Sequence, residues 1–476
     1  MILNHSSILR IPRECAIITT MKIRTLIAVA ACKISRFALR KIGKGGTNAP
    51  GKVILKIYPQ VLKVLARNVK TIVVTGTNGK TTTARMIEQS LQESGIRYFA
   101  NKSGANMLSG IAAEFAMNST LGGRCKYEYA LIECDEAAFK TVSQYVSSQY
   151  IVVTNVFRDQ LDRYGEITHT INSILIGIKN SPEAIVCINA DCSLSVSMID
   201  EITNEVIFYG VEEEIYKERV QEVSDAPYCI KCKTEYEYDY ITYGHLGGFR
   251  CPNCGYHRPD TSVAVEKVLE CTPDISVIQL RLKNNSYTAM INLPGGYNIY
   301  NAIAAAAAGV ALGIADDVIV HALSSFEGGF GRMEKFTING IDIRMILIKN
   351  PAGCNQVLNF LSNTEVPSLF VVALNDRYAD GKDISWIWDV DFEKLTTIQD
   401  KLTEIWVTGI RADDMVLRFK YAGVPIEKLK VVKDYDILIQ GMISQEAPVY
   451  MMPTYTAMLD IREKFSKNFG FKDFWE

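Results

Sequence analysis

Lys80 follows a glycine-rich turn, Thr75-Gly76-Thr77-Asn78-Gly79, and is followed by Thr81, Thr82 and Thr83. Lysine and hydroxyl side chains beside glycines at a strand-to-helix junction suit the chemistry of a nucleoside triphosphate. Gly76 and Gly79 let the backbone turn its N–H groups inward, Lys80 reaches the terminal phosphates, and the Thr81 hydroxyl can hold Mg²⁺. A tight glycine turn with an exposed lysine is the plainer alternative. The flanks favour the phosphate loop: residues 71–75 are β-branched and read as a strand, and residues 84–91 read as a helix. The N-terminus of such a helix adds positive potential where a phosphate would sit.

A second constellation is Cys229, Cys232, Cys251 and Cys254, spaced C-x₂-C-x₁₈-C-x₂-C. That spacing suits two knuckles sharing one tetrahedral Zn²⁺, with Gly255 closing the second knuckle. Four thiolates fill every position, so the zinc is expected to be structural.

Polar residues at the ends of apolar runs form a third group. Glu133 ends the run 129–132, with Asp135 behind it. Strand ends of this kind carry metal and substrate ligands in open α/β sheets, although a carboxylate there can also cap the next helix. Asn298 and Asn301 sit before and at the start of an alanine-rich helix expected over 302–311. They either cap it or hold an adenine or ribose edge. Arg332 lies in an expected hinge, 330–334, free to swing toward a γ-phosphate. Asp376, Asp380 and Asp383 cluster after the strand 367–374, where a solvated acidic loop is the alternative.

These residues need a large scaffold, and 476 residues allow two to four domains. Residues 1–20 show no clear period, and Met21 is an alternative start. The expected N-terminal segment, 1–68, holds a basic amphipathic helix over 23–41, a connector over 43–51 and a second helix over 52–67. The uncharged run of the first helix is too short to span a bilayer. Packing on the next domain is favoured over a membrane-surface role. Strands alternating with helices give a parallel sheet over 69–328, with a zinc ribbon inserted at 226–258. A second α/β domain follows over 329–476.

Composition narrows the function classes. A formal net charge of −2 gives no overall pull toward nucleic acid. Twelve scattered cysteines suggest a reducing cytoplasm rather than a disulfide framework. None of the five histidines lies in a nucleophile context, so a Cys-His or Ser-His hydrolase within this chain alone is not expected.

The run 75–82, with Glu133, Thr154-Asn155, Asn189-Ala190-Asp191, Asn298, Asn301 and Gly331-Arg332, resembles the Mur ligase superfamily of ATP-dependent amide-bond formers. The resemblance implies a Mur-ligase-like central P-loop ATPase domain of α/β fold. In it Gly76, Thr77, Asn78, Gly79, Lys80, Thr81 and Thr82 bind ATP, Glu133 holds Mg²⁺, Asn301 meets adenine beside Asn298, and Arg332 meets phosphate. Asp159-Gln160 stands where an Asp-His pair is usual, Leu347 to Gly353 replaces the usual Asp-Tyr-Ala-His-Asn-Pro, and about seventy residues precede the loop in place of a UDP-binding domain.

Those departures resemble one branch, the MurT subunits of lipid II isoglutaminyl synthases. That likeness covers the chain from Met21, including the four-cysteine ribbon, Lys349 to Gly353 and 375–391. It implies amidation of the α-carboxylate of D-glutamate in the lipid II stem peptide, with ammonia from a GatD-type glutamine amidotransferase. It also implies that an aspartate of the last domain, Asp376 first, completes the partner's Cys-His triad. Cofactors would be ATP, Mg²⁺ and Zn²⁺, and the location the cytoplasm, at the inner face of the plasma membrane if the first helix meets lipid. Alternatives are a stand-alone Mur-type amino-acid ligase and a zinc-ribbon NTPase that binds nucleic acid.

Overall fold

The computed structural model describes residues 13–41, 48–101, 105–158, 167–215, 224–272, 275–293, 295–327, 332–362 and 366–471. The first sheet is built from β1 (Lys70–Thr75), β2 (Tyr98–Ala100), β3 (Tyr129–Glu133), β4 (Tyr150–Val153), β5 (Ile185–Asn189) and β6 (Val206–Val211). A separate hairpin, β7 (Glu237–Tyr243) and β8 (Leu246–Arg250), belongs to the cysteine ribbon. β9 (Val263–Cys271), β10 (Ser276–Leu282) and β11 (Asn285–Ile291) complete the first sheet.

Its order is β2-β3-β1-β4-β5-β6-β9-β10-β11. Pairing is parallel from β2 to β9 and antiparallel across β10 and β11. β1 is buried along all but its first residue, as expected of an apolar β-branched strand covered on both faces. The helix Gly296–Leu312 is buried along most of its length, because its alanines let the backbone lie close to the sheet. It starts six residues before the expected 302. Ile299 and Tyr300 bury in the core and carry the helix back to Gly296, so Asn298 and Asn301 lie inside its first turns. Its N-cap position is Gly295, which has no side chain to cap with, rather than either asparagine.

The N-terminal helices share this core through Ala28, Val29, Cys32, Ile54 and Leu62. The helix expected over 52–67 is two: Asn48–Ile57 and Val61–Leu65. Pro59 separates them, since proline lacks the N–H that an α-helix needs there.

The second sheet holds β12 (Arg332–Ile338), β13 (Ile341–Ile346), β14 (Ser368–Ala373), β15 (Leu402–Thr408), β16 (Leu429–Val431) and β17 (Val449–Pro453). Its order is β12-β13-β17-β14-β15-β16, parallel except for β12. Two apolar layers cover it, one with Phe392 and Phe419, the other with Phe336, Trp406 and Phe465. Helices on both faces leave the C-terminal strand ends as the open edge, where doubly wound sheets place their ligands.

Candidate nucleotide site

β1 ends at Thr75, and the loop 76–79 turns into the helix Lys80–Glu93. Gly76 (φ 121°) and Gly79 (φ 86°) adopt conformations that other residues rarely reach. Both are also crowded: a Cβ on Gly76 would run into Thr154 Oγ1, and one on Gly79 into Asn301 Oδ1. The loop is thus pressed against β4 on one side and the alanine helix on the other.

Asn155 holds the loop from below. Its Oδ1 accepts from Asn78 N (2.9 Å) and its Nδ2 donates to Asn78 O (3.2 Å). Thr77 N donates to Asn155 O (2.9 Å), and Thr77 Oγ1 accepts from Phe157 N (3.0 Å). Lys80, buried, folds over the loop and donates to Gly76 O (2.5 Å), Thr77 O (3.2 Å) and Glu136 Oε2 (3.1 Å). Glu136 carried no role in the sequence reading, and its pairing with Lys80 spans 56 residues.

Glu133 ends β3 opposite Val74 of β1, two residues before Gly76. Asn101 clamps its backbone: Nδ2 donates to Glu133 O and Oδ1 accepts from Glu133 N, both at 2.8 Å. Among the described residues the Glu133 carboxylate, only 7% exposed, has no hydrogen-bond or ion-pair partner. A buried carboxylate of this kind, on the strand next to the one that leads into the loop and Thr81, suits Mg²⁺. Asp135 does something else. Its Oδ1 accepts from Ala137 N (3.1 Å) and Ala138 N (3.4 Å), capping the helix Glu136–Val142.

The second sheet reaches this loop directly. Lys349 Nζ donates to Thr77 O (3.2 Å) and Asn350 Nδ2 to Asn78 Oδ1 (3.0 Å). The cleft between the sheets is lined by Asn78, Gly79, Tyr297 and Asn301 on one side and by Lys349, Asn350, Gly353 and Gln356 on the other. Asn301 Nδ2 donates to Asn298 Oδ1 (2.9 Å), so the two asparagines present one polar edge. Arg158 ties the halves a second time, with Nη2 2.8 Å from Asp389 Oδ2. Gly331, Asp159, Gln160 and the side chain of Arg332 lie outside the described residues. Glu334, two residues on, is paired with Arg462 at 2.9 Å rather than hinged in solvent.

Lys349 is the functional candidate that the sequence placed without a role. A charged hydrogen bond contributes about 1.5–3 kcal/mol, so Lys349→Met is expected to lower kcat/KM for ATP roughly 10–100-fold. A value within twofold of the parent would reduce this contact to loop packing.

The ribbon's four cysteines come together. Cys229 and Cys254 Sγ lie 3.6 Å apart, Cys232 and Cys251 Sγ 3.4 Å, and all four within 4.8 Å. A tetrahedral Zn²⁺ with Zn–S of about 2.3 Å requires sulfurs roughly 3.8 Å apart, so the set fits zinc. Lys233 and Gly255, at φ 65° and 73°, close the two knuckles by donating from N to Cys229 O and Cys251 O.

The ribbon also braces the nucleotide side. Tyr243 lines the cleft and stacks on Phe157 (5.7 Å). Thr242 Oγ1 bonds Tyr300 OH (2.7 Å), which donates to the buried Asp191 (2.5 Å). His245 Nε2 lies 3.6 Å from Cys192 Sγ. This is a Cys-His pair that the sequence could not show, but both residues are fully buried. Burial pushes the His245 pKa down to about 4 and the Cys192 thiol up, so both stay neutral and inert.

The three aspartates of the second domain separate by task. Asp380 accepts from Thr456 N (2.7 Å), Thr456 Oγ1 (2.5 Å) and Arg377 N (3.1 Å). Asp383 accepts from Ser385 N (2.8 Å). Asp376 is half-buried and held by Arg411 through Oδ2, at 2.8 Å from Nε and 2.7 Å from Nη2.

Residues 74–309 match the Mur ligase middle domain, and residues 347–458 match the MurT ligase C-terminal domain. The chain is 35% identical to the lipid II isoglutaminyl synthase (glutamine-hydrolyzing) subunit MurT of Streptococcus pneumoniae, over 93% of this chain and 97% of that one. The chain belongs to the MurT family. The MurT subunit of Staphylococcus aureus is 33% identical, over 94% of this chain and 99% of its own length. The pseudomurein peptide ligase type C of Methanothermus fervidus shares the fold, with a TM-score of 0.63 at 20% identity, covering 83% of this chain and 79% of that one. The S. pneumoniae and S. aureus relatives thus align with this chain over nearly their whole lengths. The Mur-ligase α/β fold expected from the sequence is the fold observed.

Proposed function

We propose that this chain is the ATP-using subunit of a lipid II amidating enzyme, converting the α-carboxylate of the stem-peptide D-glutamate into a carboxamide. The observation that carries the reading is the phosphate loop covered by Lys349 and Asn350 of the second sheet, in a chain a third identical to MurT subunits over nearly its whole length.

A carboxylate does not react with ammonia at neutral pH. One of its oxygens attacks the γ-phosphorus of ATP, ADP leaves, and an acyl phosphate remains. Ammonia then adds to the carbonyl carbon, phosphate departs, and the nitrogen loses a proton. Lys80 and Lys349 are placed to neutralise phosphate charge, with Arg332 assigned the same task. The Gly76–Gly79 backbone cradles the phosphates, and Asn298 with Asn301 offers a polar edge for adenine. Thr81 and Glu133 would hold Mg²⁺, which would supply positive charge to offset that of the phosphates.

Ammonia must be released beside the site, and no accessible nucleophile–histidine pair is present among the described residues. A glutamine amidotransferase of the GatD type is therefore the proposed partner. Asp376 is proposed to orient the partner's histidine. It stands at the open strand edge, next to the exposed Tyr378 (86%) and near Ile410, apolar side chains suited to a protein contact.

Co-expression with such an amidotransferase, followed by mass analysis of lipid II, is expected to show conversion of one carboxyl to a carboxamide. Unchanged lipid II, with both subunits folded and glutamine and ATP supplied, overturns the reading.

A further inference from the structure

The helix Arg13–Lys41 has two apolar faces. One is packed: Ala28, Val29 and Cys32 enter the core, and Arg36 pairs with Glu114 at 2.9 Å. The other is exposed among the described residues. Ile23, Leu26, Ile27, Ile34 and Phe37 are all exposed, Ile34 by 68% and Phe37 by 62%. At 100° per residue these five positions fall on one side of the helix, so they form a stripe rather than scattered contacts. Val53 and Ile57 of the adjoining helix Asn48–Ile57 are exposed as well.

The charge around this stripe is of one sign. From Met21 to Asn68 the sequence holds eleven lysines and arginines and no aspartate or glutamate, in a chain whose totals are 51 basic and 53 acidic. Lys22, Arg24, Lys41, Lys52 and Lys56 are exposed. Lys41 Nζ lies over the Phe37 ring at 4.9 Å. Among the described residues no helix is long and apolar enough to cross a membrane.

We infer that this face lies on an anionic lipid bilayer, with the helix axis in the plane of the surface. Apolar side chains enter the headgroup boundary, and the surrounding cations meet acidic headgroups. The predominance of basic residues beside the stripe selects this occupant, since a second copy of the chain would set cation against cation. The inference goes beyond the proposed reaction and does not depend on it: a chain with another substrate would still carry the face.

The test is co-sedimentation of the purified full chain with phosphatidylcholine vesicles, with and without phosphatidylglycerol. The acidic vesicles are expected to bind at least 10-fold more protein, and binding should weaken as salt rises. The double variant Ile34→Glu/Phe37→Glu, on exposed positions, is expected to lose at least 10-fold of that binding while keeping the parent Tm. Equal binding to both vesicle types, or full binding by the variant, overturns the inference. So does absence of vesicle binding together with a dimer that the same variant dissolves, which would make the face a protein interface.

Discussion

Replacing Lys80 with alanine is expected to lower glutamine- and ATP-dependent amide formation by roughly 10³-fold or more. Its ammonium is buried at the head of a helix, 2.5 Å from Gly76 O and 3.1 Å from Glu136 Oε2. The charge is thus held where phosphate charge would collect, in a setting that water screens poorly. The substitution also strands Glu136, and breaking a buried pair costs about 3–5 kcal/mol of stability. A second variant separates the two effects. Lys80→Ala combined with Glu136→Gln is expected to recover most of the lost Tm while remaining inactive. Amide formation by a folded Lys80→Ala chain, given partner, glutamine and lipid II, would end the acyl-phosphate reading.

The second large effect concerns Asp376. Asp376→Asn keeps the shape of the side chain but removes the charge that would orient a histidine of the partner. Loss of such an orienting carboxylate costs about 10⁴-fold in hydrolase triads, and a fall of that order is expected with glutamine as nitrogen donor. With ammonium salts supplied directly, the rate should stay within about twofold of the parent, because activation of the carboxylate is untouched. Asp380→Asn is the contrast. It loosens Thr456 in the first turn of the helix Tyr455–Phe469, so both nitrogen sources should suffer together. Equal loss of both activities in Asp376→Asn would remove Asp376 from the partner's triad.

Much of the nucleotide loop was legible because its chemistry is local. Gly76, Gly79, Lys80 and Thr81 lie within six residues, and the β-branched run before them fixes the strand. The cysteine ribbon was legible for the same reason. What escaped was long-range. Asn155 clamps Asn78 from 77 residues away, and Lys349 reaches Thr77 across 272. No spacing rule connects such positions: the first pair meets because β1 and β4 run side by side, the second because the second sheet closes over the loop. Glu136 and Asp135 show the limit within a single turn. Both follow Glu133, yet one meets Lys80 and the other caps a helix, a difference set by the direction in which each side chain leaves the backbone. The alanine helix was shortened because alanine-rich composition was read as its extent, whereas burial of Ile299 and Tyr300 decided where it began.

The seat of Lys349 and Asn350 on Thr77 and Asn78 bears on how the molecule recycles. Both sheets touch one loop, so in the proposed reaction a diphosphate leaving along the cleft would require these two contacts to break. Parting would also draw Asp389 from Arg158 and carry Asp376 away with its domain. In the proposed reaction, release of nucleotide and the position of Asp376 against the partner would then be linked through the same contacts.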